Sequence, residues 1–299
     1  MTRIDQFESV FKSAHKPVFS HDPFLVGSPL VLTDLSEEAA DSFAVLSGKY
    51  LGSRGGQVEH GPEADPAGKA EAPFQRVIKG ADFNTIEDCL ELIEGESPDL
   101  ICTYRGLHSD CRRWGHSLGS YVEVLTQTVN VPVLVFPHPS AEEAIPAVEA
   151  SCQHVMAMTD HLAGDSRLVN AALFFTPAEG TLHLTNLEDQ QIFERYMEAI
   201  AKIPSIDSDT ARESVLAQIL KEGRDYIQSC RAVLAEQGLE VRIEETVELG
   251  LHIEDYKRLA SSTQVDLLVM NTRDSGQLAM HGLAYELAVE LNDIPLLLL

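Results

Sequence analysis

Basic residues are scarce in this chain: 22 Lys and Arg stand against 47 Asp and Glu, a formal net charge of −25. Phosphate backbones and anionic lipid surfaces are held by a basic footprint, so this balance argues against nucleic acid and against membrane as partners. It favours solubility and suits a salty environment. Cysteine is also sparse. The five (Cys89, Cys102, Cys111, Cys152, Cys230) are odd in number, scattered and without a CxxC pair, which excludes the usual zinc spacings and a disulfide framework. Three of them lie in apolar periodic segments, where a buried free thiol is expected. No apolar run is long enough to cross a bilayer. The opening residues lack an apolar signal core; Phe7, Val10 and Phe11 have the spacing of a short amphipathic helix, and a cytoplasmic location is expected. A Gly-Lys-Ser/Thr phosphate loop and a Gly-x-Gly-x-x-Gly turn are both missing, so neither a P-loop NTPase nor a dinucleotide enzyme is indicated. The eleven histidines show no metal-ligand spacing, and no metal site is expected.

What is present is an internal repeat. An apolar run ending in Thr-Asp occurs at Leu30–Asp34 and again at Val155–Asp160, each followed by an amphipathic helix: Ala39, Ala40, Phe43, Ala44, Leu46, and then Leu168, Ala171, Ala172, Phe175. Gly80 and Gly250 each close a strand. The helices that follow share the tripeptide Ile-Glu-Asp, at Ile86 and Ile253, and the first opens with Asn84 as cap and Glu87 three residues on. From each of these Ile residues it is thirteen residues to the Asp that opens the next strand, Asp99 and Asp266. Each copy closes on a Pro-containing apolar strand, Val131–Val135 and Ile294–Leu298. Five landmarks in one order point to a duplicated unit.

The copies differ between the Thr-Asp and the Ile-Glu-Asp, which lie 52 residues apart in the first and 93 in the second. Helical pattern over roughly 207–236 fills the excess, whereas the first copy has an Ala-, Pro- and Gly-rich loop from Gly61 to Pro73 and is expected to lack the helix after its second strand. Strands that alternate with helices, and that carry no polar face, form parallel sheets covered on both sides. The expected architecture is therefore α/β, with two tandem doubly wound parallel-sheet domains. The boundaries read as an N-terminal extension over 1–27, a first domain over 28–138, a linker over 139–152 and a second domain over 153–299. Sheets of this kind bind ligands at the carboxyl ends of their strands.

One strand-to-helix segment of the first copy concentrates chemistry. From Arg105 to Ser120 it holds Gly106, Ser109, Gly115, Gly119 and Ser120, with Arg105, Arg112 and Arg113 as positive charge against Asp110 alone. Glycine and serine at a helix start leave backbone N–H groups open to a phosphate. The competing reading is a solvated loop whose arginines pair with nearby acids, and Asp34 has a competing role as a helix cap alongside Ser36.

Here the chain resembles the universal stress protein family, from about residue 27 onward. That family's unit has this strand–helix order, an Asp ending the first strand, and a Gly-x2-Gly-x9-Gly-(Ser/Thr) loop that holds ATP phosphates in its nucleotide-binding members. Gly106-x2-Ser109-x9-Gly119-Ser120 matches the loop, with Ser109 in place of the second glycine. The resemblance implies an adenine nucleotide, ATP or AMP, with Asp34 at the adenosine end, Gly106, Ser109, Gly119 and Ser120 around the phosphates, and Arg105 or Arg112 neutralising charge. In the second copy the loop positions are Asn271 and Asp274, followed by Gly282-Leu283, so no nucleotide site of the family type is expected there although Asp160 is kept. The resemblance also implies that the closing strands pair the two domains as a pseudo-dimer, and that the role is that of a stress-linked ligand-binding or regulatory protein rather than an enzyme. Two other readings stand beside it. One is a scaffold for a protein partner or a second copy of the chain, using no nucleotide; a small ligand against Phe174, Phe175 or Met280 would favour it. The other is a serine hydrolase: Gly115-His116-Ser117-Leu118-Gly119 fits Gly-x-Ser-x-Gly, which needs a strand running straight into the motif, with His138 and His154 as the available later imidazoles.

Overall fold

The computed structural model describes residues 17–51, 76–109, 117–139, 152–159, 162–250, 253–272 and 282–299. The expectations placed on Phe7, Val10, Phe11, the 61–73 loop, Cys111, Arg112, Arg113, Gly115, His116, Asp160, Asp274, Met280 and the 140–151 part of the linker fall outside these residues. In chain order the first part holds β1 (Pro29–Thr33), α1 (Glu37–Leu51), β2 (Val77–Lys79), α2 (Ile86–Glu96), β3 (Leu100–Tyr104), α3 (Ser120–Thr128) and β4 (Val133–Phe136). The second part holds β5 (His154–Thr159), α4 (Ser166–Phe175), β6 (Thr181–Asp189), α5 (Gln190–Ala201), α6 (Ser208–Glu236), β7 (Arg242–Gly250), α7 (Ile253–Ser262), β8 (Leu267–Met270), α8 (Gly282–Glu290) and β9 (Leu296–Leu298).

The nine strands form one sheet in the order β2-β1-β3-β4-β9-β8-β5-β6-β7. Every pairing is parallel except β4 with β9, where Val133, Leu134 and Val135 lie opposite Leu298, Leu297 and Leu296 in antiparallel register. The central strands are buried along their whole length, as continuous apolar runs in a sheet covered on both faces must be. Beside β4, the Phe136 ring meets Phe43 and Tyr50 edge-on, with centroids 5.4 and 5.0 Å apart, and Phe43 meets Tyr104 at 5.2 Å. In the second part β6 separates β5 from β7; in the first, β2 pairs directly with β1.

Several local features follow from single residues. Asp99 accepts from the amides of Gly27 (2.6 Å) and Ser28 (2.9 Å), and Asp266 accepts from the amide of His154 (2.8 Å). The two repeated aspartates thus do the same work, tying the start of one strand to its neighbour. Helix α2 begins one residue later than its sequence pattern suggests. Thr85, not Asn84, is the cap: its hydroxyl accepts from the Asp88 amide (3.1 Å), while the Asp88 carboxylate accepts from the Thr85 and Asn84 amides. These bonds hold the Asp88 carboxyl below its ordinary pKa. Residues 17–28 cross the second part, where the Phe19 amide donates to Ser229 (2.9 Å), the Ser20 amide to Ser166 (3.1 Å), and Phe24 packs edge-on against Phe174.

Cys89, Cys102, Cys152 and Cys230 are free and buried. Burial pushes the Cys89 thiol up to about 11 and Cys230 up to about 12, which makes them packing residues rather than nucleophiles. Among the described residues no helix is long and apolar enough to cross a membrane.

On β5 and β6 the His154 and His183 rings share a hydrogen bond at 3.2 Å. Burial and then the His154 ring hold the His183 imidazole below its ordinary 6.5; Glu244 opposes this and Arg242 adds to it. The folded state therefore resists a proton that the unfolded chain accepts, so stability is full above pH 6.5 and falls as pH drops below it. Urea midpoints measured from about pH 7.5 down to about pH 5.5 should decline more steeply in the parent than in His183→Gln; parallel curves would refute the assignment.

Candidate functional site

The site lies at the carboxyl ends of β1 and β3 and at the start of α3. Gly106 and Gly119 have φ of 81° and 93°, in the left-handed region open to glycine. The Gly106 amide donates to the Leu118 carbonyl (2.9 Å), and the Ser109 amide to the Gly106 carbonyl (2.9 Å), closing a tight turn against the helix start. A Cβ on Gly119 would lie 2.8 Å from the Ser109 hydroxyl and 3.0 Å from the Gly106 Cα. The three loop positions picked out in the sequence, 106, 109 and 119, therefore touch one another. Gly119 is the N-cap of α3 and brings no side-chain hydrogen bond to its first turn, and Ser120 is exposed beside it. A helix start built this way presents N–H groups and the positive end of the helix dipole.

Asp34 is next to this loop but does not cap α1. One carboxylate oxygen accepts from the Tyr104 hydroxyl and the other from the His108 amide (3.0 Å). Tyr104 in turn accepts from the Asp34 amide (2.8 Å). Its one proton goes to Asp34, so the Thr33 hydroxyl at 3.0 Å is the donor in their shared bond. Burial first, and the Asp34 carboxylate next, push the Tyr104 pKa above its usual value. His108, at φ 49°, stacks edge-on against Phe83 with centroids 4.6 Å apart and lies over Gly80. Tyr104→Phe removes the partner of the Asp34 amide and of its carboxylate together. It should cost about 1–3 kcal/mol in urea unfolding, and a loss below about 0.5 kcal/mol would contradict this network.

Arg105 departs from its expected role. It is buried, and its guanidinium donates to the carbonyl of Leu291 (2.9 Å), just after α8. The reason is positional: residue 105 directly follows the buried strand β3, and its side chain reaches the segment after α8. Arg112 lies outside the described residues, so of the seven candidate residues five (Asp34, Gly106, Ser109, Gly119, Ser120) gather at the site.

The geometry around Ser117 does not fit a hydrolase. β3 ends at Tyr104, well short of the motif, and the described residues that follow it, 105–109, are turn and bend rather than strand. Its hydroxyl donates to Glu123 (2.9 Å) and accepts from the Gly119 amide (3.0 Å). A carboxylate accepts that proton, and the His138 ring bonds the Arg105 carbonyl instead (2.8 Å). Glu123 also accepts from the Tyr285 hydroxyl of α8 (3.1 Å). Tyr104, His108, Glu123 and Tyr285 are thus parts of the site that sequence reasoning missed; each joins it through a contact to a residue distant in the chain or through its backbone, which no local pattern announces. At the corresponding place in the second part, Asn271 donates to Asp165, and Asp165 caps α4 through the Leu168 amide. Side chains close that end of the sheet upon themselves.

No protein-family model and no curated protein matches the chain. Among solved structures, a universal stress protein from Archaeoglobus fulgidus DSM 4304 is similar at 17% identity and a TM-score of 0.53, with 92% of this chain and 98% of that one covered. A functionally unknown protein from Pseudomonas aeruginosa PAO1 aligns at 15% identity and a TM-score of 0.49, with 92% of each chain covered. In its α/β layering and mostly parallel central sheet, this chain has the fold of the universal stress proteins.

Proposed function

We propose that the chain is a tandem protein of the universal stress type, whose first unit binds an adenine nucleotide and whose role is regulatory and stress-linked rather than catalytic. In this reading residues 28–138 and 153–299 are the two units and β4 with β9 is the seam of a pseudo-dimer. The matching carboxylate–amide ties of Asp99 and Asp266 support the duplication.

The observation that carries the nucleotide reading is the contact of Gly119 with Gly106 and Ser109 at a helix start that has no side-chain cap. Backbone amides there can approach phosphate oxygens closely, and the helix dipole favours the negative charge. Ser120 would offer its hydroxyl, and Asp34 would hold the far end of the ligand. The Ser109 hydroxyl sits within the turn, where the glycine of the family pattern has no side chain. The second unit, with Asp165 and Asn271 bonded to each other, serves as structural partner of the first.

Calorimetric titration with ATP and with AMP tests this directly, with one nucleotide per chain as the expected result. Ser120→Asp is the informative variant. An acidic residue in the first turn suits the α3 dipole, so the fold is retained, while its charge opposes a phosphate. Affinity should fall at least about tenfold, or roughly 1.4 kcal/mol. Absence of binding to folded parent protein would refute the nucleotide reading, and equal affinity in the variant would move the site away from α3.

A further inference from the structure

Helix α5 and the first half of α6 stand off the sheet as a hairpin with little core of its own. The buried residues of α5 are Phe193 and Met197, and neither belongs to the main hydrophobic core. The Arg212 guanidinium of α6 lies 5.1 Å over the Phe193 ring and forms two hydrogen bonds with Glu194. The first buried residue of α6 is Gly223, more than half-way along the helix.

Beside these buried residues the hairpin exposes apolar ones. Ile192 is 47% exposed, Tyr196 56%, Ile203 44% and Ile206 41%, which is half of the exposed large hydrophobic residues among those described. Ile192, Tyr196 and Ala199 recur at helical spacing and form one stripe along α5, with Ile203 just beyond its end. Single exposed apolar residues need no explanation, but a contiguous stripe on a helix marks an interaction surface.

The charges beside the stripe say what covers it. Along one flank run Arg195, Glu198 and Lys202, all exposed and all without an ion-pair partner among the described residues. Their signs alternate, and with Glu194 and the C-cap Lys202 counted the segment from Gln190 to Lys202 has no net charge. The whole chain carries −25, so copies that meet elsewhere repel one another. A uniformly acidic partner would meet Glu198, and a uniformly basic one would meet Arg195 and Lys202. A second copy suits both. A two-fold axis sets the same flank against itself in reverse, which brings Arg195 of each copy beside Glu198 of the other. We propose that α5 is a self-association surface through which two chains pair antiparallel, centred on Tyr196, on a face separate from the β4–β9 seam and independent of any nucleotide.

Sedimentation velocity on the full chain tests this, from about 1 to about 200 μM protein, at about 0.15 M and about 1 M salt; the higher salt screens the overall repulsion. The parent should form a dimer as concentration rises. Tyr196→Glu should raise the dissociation constant at least about thirtyfold while leaving the thermal midpoint unchanged at a concentration where the parent is monomeric, because the ring is exposed in the single chain. Arg195→Glu and Glu198→Arg should each weaken the dimer, and the double exchange should restore it. A monomer at both salts would overturn the proposal, as would a dimer indifferent to Tyr196→Glu. A double exchange that fails to recover would overturn the antiparallel arrangement.

Discussion

Replacing Gly119 with alanine should weaken nucleotide binding strongly and cost about 2–3 kcal/mol of stability, although it adds a single methyl group. Two effects combine. At φ 93° any Cβ is strained, and this one would lie 3.0 and 3.1 Å from the Cα and N of Gly106. Those are backbone atoms in a turn fixed by the Gly106–Leu118 and Ser109–Gly106 hydrogen bonds, so they yield only if the cradle opens. Binding should weaken at least about thirtyfold, equal to about 2 kcal/mol. Gly95 in α2 is the control: a Cβ there meets nothing within 4 Å, and alanine should stabilise by about 0.5–1 kcal/mol. The same substitution therefore has opposite signs at two positions, read by urea unfolding and calorimetry on the same samples. Equal stability changes at both sites would sink the geometry assigned to the loop.

Phe136→Ala should be the most destabilising change in the core, at about 3–5 kcal/mol. The ring is fully buried, and its edge-on contacts with Phe43 and Tyr50 link α1 to the strand that joins the two parts of the sheet. Its removal leaves a cavity where neither rigid ring can collapse into the space. Phe136→Leu keeps most of the volume and should cost about 1–1.5 kcal/mol. A loss below about 1 kcal/mol for alanine would mean that this cluster is not packed as described.

The fold was legible because its signals are periodic and local. Apolar runs at Leu30–Thr33, Leu100–Cys102 and Leu267–Val269 have no polar face, which a parallel sheet covered on both sides requires. Helix α6 was read at 207–236 and lies at Ser208–Glu236, opened by Asp207 accepting from the Thr210 amide. Helix α5 lies outside the sequence expectations: its apolar residues form one broad face, with Phe193 and Met197 buried and Ile192 and Tyr196 exposed beside them. The Asn84 cap was misread by one residue because Asn and Thr are both good caps, and only the reciprocal bond with Asp88 chooses between them.

At the candidate site, the loop composition and the family resemblance point to Gly106, Ser109, Gly119, Ser120 and Asp34, which the fold brings together; glycine at a strand-to-helix turn carries its conformational meaning within the chain. Side-chain direction was another matter. Arg105 has the composition of a phosphate ligand, yet it donates to Leu291, nearly two hundred residues on; Ser117 has the frame of a nucleophile, yet it faces Glu123. A sequence pattern states which backbone shapes a residue tolerates and which faces it can bury, because these depend on its immediate neighbours. The partner that satisfies a buried guanidinium or a hydroxyl is chosen by the packing of distant segments, and the tertiary structure alone decides it.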